Sequence, residues 1–397
     1  MLKETKLNIG YIGIGNAGSQ IGIEAFKAGI PIRLINTSSK DLDDSIIPEG
    51  VAGYLISDIN AAARGAGHSR DNAKKLYKSM ENEVLKNSTF ISFVNENDVI
   101  VIGASTAGGT GSGIAPTLVY QLKTIYPQKV FILLAVLPRK TESPNAHYNT
   151  ATFCDEINML NQQNVTFPYM MYDLGRYESV SSDEAYKLLS EDIVESLRVL
   201  GGSMSHMTTH GMIDERDMLT IVSEPGLMNI YHKSGIDLSK IPEGGFQEIM
   251  KDTIVKSPAV QVQKDKLIRW LGIFMNIPED LDDPVRRSDF SELESVIGRP
   301  WDTFVNNAVT DNPKGEFGII ASGMSYPYDR ISASIDIVKE YTEAAKTKSF
   351  SIHEEISGAK AFAKNDNIDK ILGSKNTTIV EDIPQEISMP SFLDPDF

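Results

Sequence analysis

Apolar residues in the first half of the chain come as short runs separated by helix-period segments. Residues 8–14 (NIGYIGI) read as a strand, and residues 16–28 follow at helical spacing through Ile21, Ala25 and Ala28. Residues 31–35 (PIRLI) give a second strand, ended by the polar run Asn36-Thr37-Ser38-Ser39. A helix is predicted over 71–87. Residues 98–103 (DVIVIG) are short, apolar and β-branched, as a strand buried on both faces requires. Residues 129–137 (KVFILLAVL) form the next strand, 150–162 a helix and 168–173 (PYMMYD) a strand. Strands that alternate with helices predict βαβ units and a mostly parallel sheet.

Residues 183–206 carry the longest helical pattern of this half, through Ala185, Leu188, Leu189, Ile193, Leu197 and Leu200, with Gly201-Gly202 placed to interrupt or end it. This helix joins two domains. Beyond it, residues 220–330 have less regular periodicity and more proline. Residues 317–323 and 331–337 (ISASIDI) read as strands of a second sheet, and 353–372 as a weak helix. The segment 374–397 sets Glu381, Asp382, Glu386, Asp394 and Asp396 against Lys375, the composition of a mobile acidic tail. Its apolar group Met389, Phe392, Leu393 and Phe397 is either a docking motif or incidental.

The chain has 397 residues, enough for two domains with a core that needs no staples. A hydrophobic fraction of 41% and a charged fraction of 23% are those of an ordinary soluble protein. Cys154 is the single cysteine, which excludes a disulfide framework and a cysteine metal cluster and points to a reducing compartment. Its expected role is a small buried hydrophobe. The N-terminus MLKETKLNIG lacks a signal-peptide pattern, and no stretch of 18 apolar residues occurs, so no membrane span is expected and the cytoplasm is the expected location. A net charge of −16 disfavours direct nucleic-acid binding and leaves contact through a basic adaptor protein open.

Two glycine loops carry the chemistry. Gly13-Ile14-Gly15-Asn16-Ala17-Gly18 follows a strand and opens a helix, where the backbone approaches a phosphate closely and the helix N-terminus stabilises its charge. Alone, this pattern fits a dinucleotide fold equally well. A dinucleotide site wants an acid at the end of the second strand, and here Asn36 and Thr37 stand there, with Asp41 beyond. The second loop, GASTAGGTGSG over 103–113, again runs from a buried strand into a helix. Its consecutive amides form a nest for an anion, with Thr110 and Ser112 adding hydroxyls. It has no lysine, so it is not a Walker A loop.

The run Gly108-Gly109-Thr110-Gly111-Ser112-Gly113 after an apolar strand resembles the glycine loop of tubulin and FtsZ, and other segments fall in that family's order over residues 8–217. Gly13 to Ser19 is similar to its first phosphate loop, Asn36-Thr37 to the segment after its second strand, and Arg64-Gly65-Ala66-Gly67-His68 to the loop near the γ-phosphate. Pro138 to Pro144 is similar to the loop by the ribose. The plasmid and phage TubZ-like branch is the nearest in pattern. The resemblance implies an α/β fold: an N-terminal Rossmann-like GTP-binding domain with a parallel sheet (1–182), a central long helix (183–210), a catalytic loop and smaller α/β C-terminal domain (211–350), a helix (351–373) and the tail (374–397).

It further implies GTP or GDP held by Gly15, Asn16, Ala17, Gly18, Gln20, Asn36, Gly65, Ala66, Gly67, Gly108 to Gly113 and Glu142, with Mg²⁺ bridging the phosphates. The family's Asn that contacts guanine has no counterpart in Leu189-Ser190-Glu191-Asp192, which leaves base contact to Glu191 or Ser190, with Tyr177 as a stacking candidate. Met212-Ile213-Asp214-Glu215-Arg216-Asp217 keeps the acid pair of the family's catalytic loop and replaces its Asn. Asp214 and Asp217 are the implied catalytic residues, acting on a neighbour's nucleotide in a head-to-tail filament. The implied role is a filament-forming GTPase in plasmid or phage DNA positioning, with a DNA-binding adaptor captured by the tail. The alternatives are a Rossmann-type NAD or FAD oxidoreductase, which leaves residues 103–113 unexplained, and a non-hydrolysing nucleotide-binding scaffold.

Overall fold

The computed structural model describes residues 7–57, 65–162, 165–202, 213–237, 245–262, 268–278, 290–310 and 314–347. Six parallel strands come first: β1 (Ile9–Ile14), β2 (Ile32–Asn36), β3 (Ala52–Leu55), β4 (Val99–Ser105), β5 (Val130–Leu137) and β6 (Pro168–Asp173). They lie in the order β3-β2-β1-β4-β5-β6. Every residue of β5 is buried, because helices cover both faces. Those helices are α1 (Gly15–Lys27), α2 (Arg70–Leu85), α3 (Ser88–Glu96), α4 (Thr110–Ile125) and α5 (Pro144–Gln162). The strand order reverses direction between β1 and β4, and in open α/β sheets ligands bind at the carboxyl ends beside such a switch. Cys154 is fully buried and its thiol is pushed up to about 12 by that burial, so it acts as a small hydrophobe.

The long helix α6 spans Ser182–Leu200. Ser181 caps it by accepting from the Glu184 N–H, and Asp183 and Glu184 complement its N-terminus. It ends at Gly201, with Gly202 in the left-handed region at φ 78°, so the glycine pair stops the helix. Residues 203–212 lie outside the described part of the chain. The Gly201 carbonyl accepts from the Leu7 N–H, beside the start of β1. α6 thus runs from the carboxyl edge of the parallel strands to their amino edge, about 28 Å at 1.5 Å per residue.

Two expectations for the second half need correction. The later strands are β7 (Gly226–Asp237), β8 (Ile268–Pro278), β9 (Pro300–Thr310) and β10 (Lys314–Met324). They do not form a separate sheet. β7 joins β6 in parallel through Pro168↔Gly226 and Tyr169↔Leu227, giving one ten-stranded sheet that continues β7-β10-β8-β9. α7 (Glu215–Ser223) precedes β7 and α8 (Gly245–Lys256) follows it. Residues 331–337 are not a strand but part of the last described helix, Tyr328–Thr347. Ile331, Ser334 and Val338 are buried there at helical spacing, against α5. The weak helix expected over 353–372 and the tail lie outside the described residues. Among the described residues no helix is long and apolar enough to cross a membrane.

Candidate functional site

A cavity of about 690 Å³ opens at the carboxyl ends of β1, β2 and β4, next to the switch in strand order. The loop after β1 lines it with Gly15, Asn16, Ala17 and Gln20, and the loop after β4 with Gly108, Gly109, Thr110 and Gly111. Asn36, Thr37, Ser38 and Asp41 come from the end of β2, Gly65, Gly67 and His68 from the segment before α2, and Glu142 from the loop after β5. The start of α6 adds Ser182, Asp183 and Tyr186.

Two helix starts at this cavity differ from those with side-chain caps. α2, α3, α6 and α7 each begin with a side chain that accepts from the first-turn amides: Ser69, Asn87, Ser181 and Asp214. α1 and α4, which point their N-termini into the cavity, have no side-chain cap and no acid in the first turn. Their first amides and positive dipole ends are therefore left for an anion in the cavity. Gly15 makes the turn from β1 into α1 at φ 71°, a conformation that a side chain disfavours. Among the described residues no lysine or arginine lines the cavity, while Asp41, Glu142 and Asp183 do. Compensation of a bound anion falls to backbone amides and helix ends.

The loops hold one another in place. The Thr37 and Thr110 hydroxyls are 2.6 Å apart, joining the end of β2 to the start of α4. Buried Asn36 accepts from the Thr37 and Ser38 N–H groups and donates to Asp41. Asn149 of α5 donates to the carbonyls of both Ala107 and His68, which ties the β4 loop to the segment before α2. His68 sits at φ 58°, an uncommon conformation for a residue other than glycine, held by these contacts. A Cβ on Gly109 would lie 2.7 Å from the Ser69 nitrogen, so these two loops touch backbone to backbone. Beneath them, buried Arg70 donates to the Asn149 carbonyl and pairs with Glu156.

On the far rim, Glu142 accepts from the Arg139 N–H, and burial raises its carboxyl above the ordinary range. The Arg139 guanidinium donates to the carbonyls of Tyr177 and Ser181, which fixes the start of α6 beside the cavity. Arg330, from the last described helix, pairs with Asp173 and donates to the Pro138 carbonyl at 2.6 Å. The loop 138–144 and the start of α6 are thereby fastened to the second half of the chain.

Of the residues named from sequence, Gly15, Asn16, Ala17, Gln20, Asn36, Gly65, Gly67, Gly108 to Gly111 and Glu142 line the cavity. Gly18, Ala66, Ser112, Gly113, Tyr177 and Glu191 do not. A Cβ on Gly18 would lie 2.3 Å from the Gly103 carbonyl oxygen, so Gly18 lets α1 pack on β4. Gly113 likewise packs on the Arg70 carbonyl, at 2.7 Å. The Ser112 hydroxyl is turned back onto the carbonyls of Gly108 and Gly109. Tyr177 is partly buried, its hydroxyl pushed up to about 12 by desolvation, and its carbonyl serves Arg139. Glu191 is exposed, eight positions after Asp183 on α6, roughly 12 Å along the helix. Asp183 and Tyr186, at the start of α6, line the cavity instead. The pattern Ser181-x-x-Glu184 marks the true helix start and would have pointed to them.

Asp214 and Asp217 are away from this cavity. They form a reciprocal capping box at the start of α7: the Asp217 N–H donates to Asp214 at 2.8 Å, and the Asp214 N–H to Asp217 at 3.2 Å. α7 lies between Gly201 and Gly226, both at the amino edge of the parallel strands.

Residues 8–169 match the family model for the tubulin/FtsZ family, GTPase domain. The chain is 22% identical over 366 residues to the tubulin-like protein TubZ of Clostridium botulinum C phage, covering 90% of each. The crystal structure of Clostridium botulinum phage c-st TubZ superposes with a TM-score of 0.66 at 20% identity, over 85% of this chain and 99% of that one. A GTPγS-bound protofilament of CetZ2 from Haloferax volcanii also gives a TM-score of 0.66, at 17% identity, over 86% of this chain and 100% of that one.

Proposed function

We propose that this chain, a member of the tubulin/FtsZ superfamily whose GTPase domain occupies residues 8–169, binds GTP, hydrolyses it between subunits and polymerises head to tail. The observation that carries this reading is the pair of uncapped helix N-termini, α1 and α4, that meet in one cavity at the switch in strand order. Two such ends suit a polyphosphate. A dinucleotide reading uses α1 and gives no use to α4. The oxygen lining of Thr37, Thr110 and Asp41 fits Mg²⁺, which takes most of its ligands from substrate phosphates and water. When bound, the ion would screen phosphate charge that the described lining, without lysine or arginine, leaves uncovered.

Light scattering with electron microscopy tests the reading. GTP and a slowly hydrolysed analogue should produce filaments, with GTPase activity per subunit rising with protein concentration. Activity that is independent of concentration would sink the shared site. Release of a nicotinamide or flavin nucleotide on denaturation would sink the GTP assignment.

Asp183 and Tyr186 suit the base. Guanine presents N1–H and N2–H donors on one edge, and a carboxylate accepts both, while a tyrosine ring stacks on the purine. Asp183→Asn should lower GTP affinity by about tenfold or more and erase the preference for GTP over ITP, which lacks the 2-amino group. Competition binding checks this. An unchanged GTP to ITP ratio would remove Asp183 from base recognition.

The finer role we assign is positioning of plasmid or phage DNA. The likeness to a phage TubZ over 90% of the chain and the acidic segment 374–397 support it. A basic DNA-binding adaptor complements both that segment and a net charge of −16. Deleting 376–397 should leave GTPase activity intact and abolish adaptor capture. Equal capture by the shortened chain would refute the assignment to the tail.

A further inference from the structure

At the amino edge of the second half, a cavity of about 580 Å³ is bounded by Glu224, Ile268, Arg269, Arg299, Trp301 and Gly323. Arg269 lies between two indole rings, 4.8 Å from the centroid of Trp270 and 5.1 Å from that of Trp301. Glu224 accepts from the Trp270 indole N–H at 2.8 Å, which fixes the inner ring. Trp301 is 73% exposed at the start of β9, the last strand of the sheet. Gly323, at φ 69°, forms the floor, where a Cβ would lie 2.4 Å from that of Arg269. Among the described residues neither Arg269 nor Arg299 is engaged in an ion pair. A stacked, unpaired arginine beside an open tryptophan is the composition of an interface anchor.

Its place in the fold identifies the occupant. Glu224 directly follows α7, about 10 Å along the helix from Asp217. The cluster therefore shares the sheet edge that, in the filament reading, meets the next subunit's nucleotide edge. That facing edge carries exposed Asp43 and Asp44 next to Asp41, and exposed Glu184 next to Asp183. Cationic Arg269 and Arg299 complement it, in a chain whose net charge is −16.

We propose that the Arg269, Arg299 and Trp301 cluster anchors the longitudinal contact with a second copy of this chain, seated on the acidic rim of that copy's nucleotide cavity. The proposal rests on the filament reading above. The chain has two tryptophans, Trp270 and Trp301, and both belong to the cluster, so tryptophan fluorescence excited selectively over tyrosine reports on it. Acrylamide quenching should fall at least about twofold when the wild-type chain assembles with a slowly hydrolysed GTP analogue. Trp301→Ala and, separately, Arg299→Glu should raise the critical concentration by about tenfold or more while monomer GTP affinity stays at the wild-type value. A wild-type chain that does not assemble overturns the filament reading and this proposal with it. Filaments whose tryptophans quench as in the monomer, with Trp301→Ala assembling at the wild-type concentration, overturn the proposal alone. Monomer quenching that rises on deletion of 374–397 would make the chain's own tail the occupant and also overturn it.

Discussion

Gly109→Val should lose GTP binding by more than about 10²-fold, a change of roughly 2.7 kcal/mol or more, while the strands of the sheet stay folded. The reason is a backbone contact. A Cβ at position 109 would sit 2.7 Å from the Ser69 nitrogen and 2.9 Å from the His68 carbonyl carbon. Neither is the end of a flexible side chain, so one loop must move. Both loops line the cavity, and Asn149 holds them to each other through the carbonyls of Ala107 and His68. Separating them displaces the first amides of α4, which have no cap to fall back on. The backbone at 109 is ordinary helical (φ −75°, ψ −56°), so valine suffers from its neighbours and not from its own torsions. Gly108→Ala is the companion measurement. No atom lies within 4 Å of its added methyl, so its melting temperature should match the wild type and Gly109→Val should melt lower. Calorimetry with GTP titration separates the two. Gly109→Val binding GTP at wild-type affinity would show that the β4 loop is not a phosphate cradle.

The same loop explains how far a sequence can be read. Glycines after apolar strands located the cavity correctly, because both a tight turn and a close ligand demand a missing side chain. They did not separate ligand contact from backbone packing. Gly15 and Gly109 line the cavity, while Gly18 and Gly113 make room for Gly103 and Arg70. All sit in equivalent-looking patterns, and only the third dimension tells them apart. Ser112 looked like a donor to phosphate, yet the nearest acceptors to its hydroxyl are carbonyls of its own turn.

Periodicity failed where two patterns overlapped. ISASIDI alternates as a strand does, but Ile331, Ser334 and Val338 also mark one face of a helix. Packing against α5 decided for the helix, with Ser334 buried against His147 at 3.1 Å. The ten-stranded sheet was hidden for another reason. It is joined by two residue pairs between β6 and β7, strands separated in the chain by the whole of α6 and α7. The parallel half was legible because each βαβ unit is local. Asp183 and Tyr186 line the cavity while Glu191, about two helical turns beyond Asp183, does not, because the Ser181 cap sets which turn of α6 faces it.

Asp217→Asn should reduce GTP hydrolysis by about 10²-fold or more while leaving GTP binding and assembly in place. Asn is the informative replacement. In the subunit, Asp217 and Asp214 cap α7 reciprocally, and losing such a cap costs about 1 kcal/mol. An amide oxygen still accepts the Asp214 N–H, so the cap survives and the negative charge does not. A fall in rate then reports on charge and not on a frayed helix. In the proposed filament the residue acts on another subunit. α6 carries the chain about 28 Å from the cavity at Ser182 to the opposite sheet edge at Gly201, and α7 lies between there and Gly226 at the same edge. A carboxylate there cannot orient water at its own subunit's γ-phosphate. It can do so for a neighbour stacked beneath, and filaments of Asp217→Asn should outlast wild-type ones because GTP persists in them. Mixing gives the decisive measurement. Gly109→Val holds no GTP but presents an intact Asp217, and Asp217→Asn holds GTP but presents none. Together they should hydrolyse faster than the sum of each alone, at the junctions where the first sits on the second. Hydrolysis by Asp217→Asn at the wild-type rate would remove this residue from the chemistry. Loss of GTP binding in Asp217→Asn alone would instead place the residue in its own subunit's pocket, against the fold that separates them.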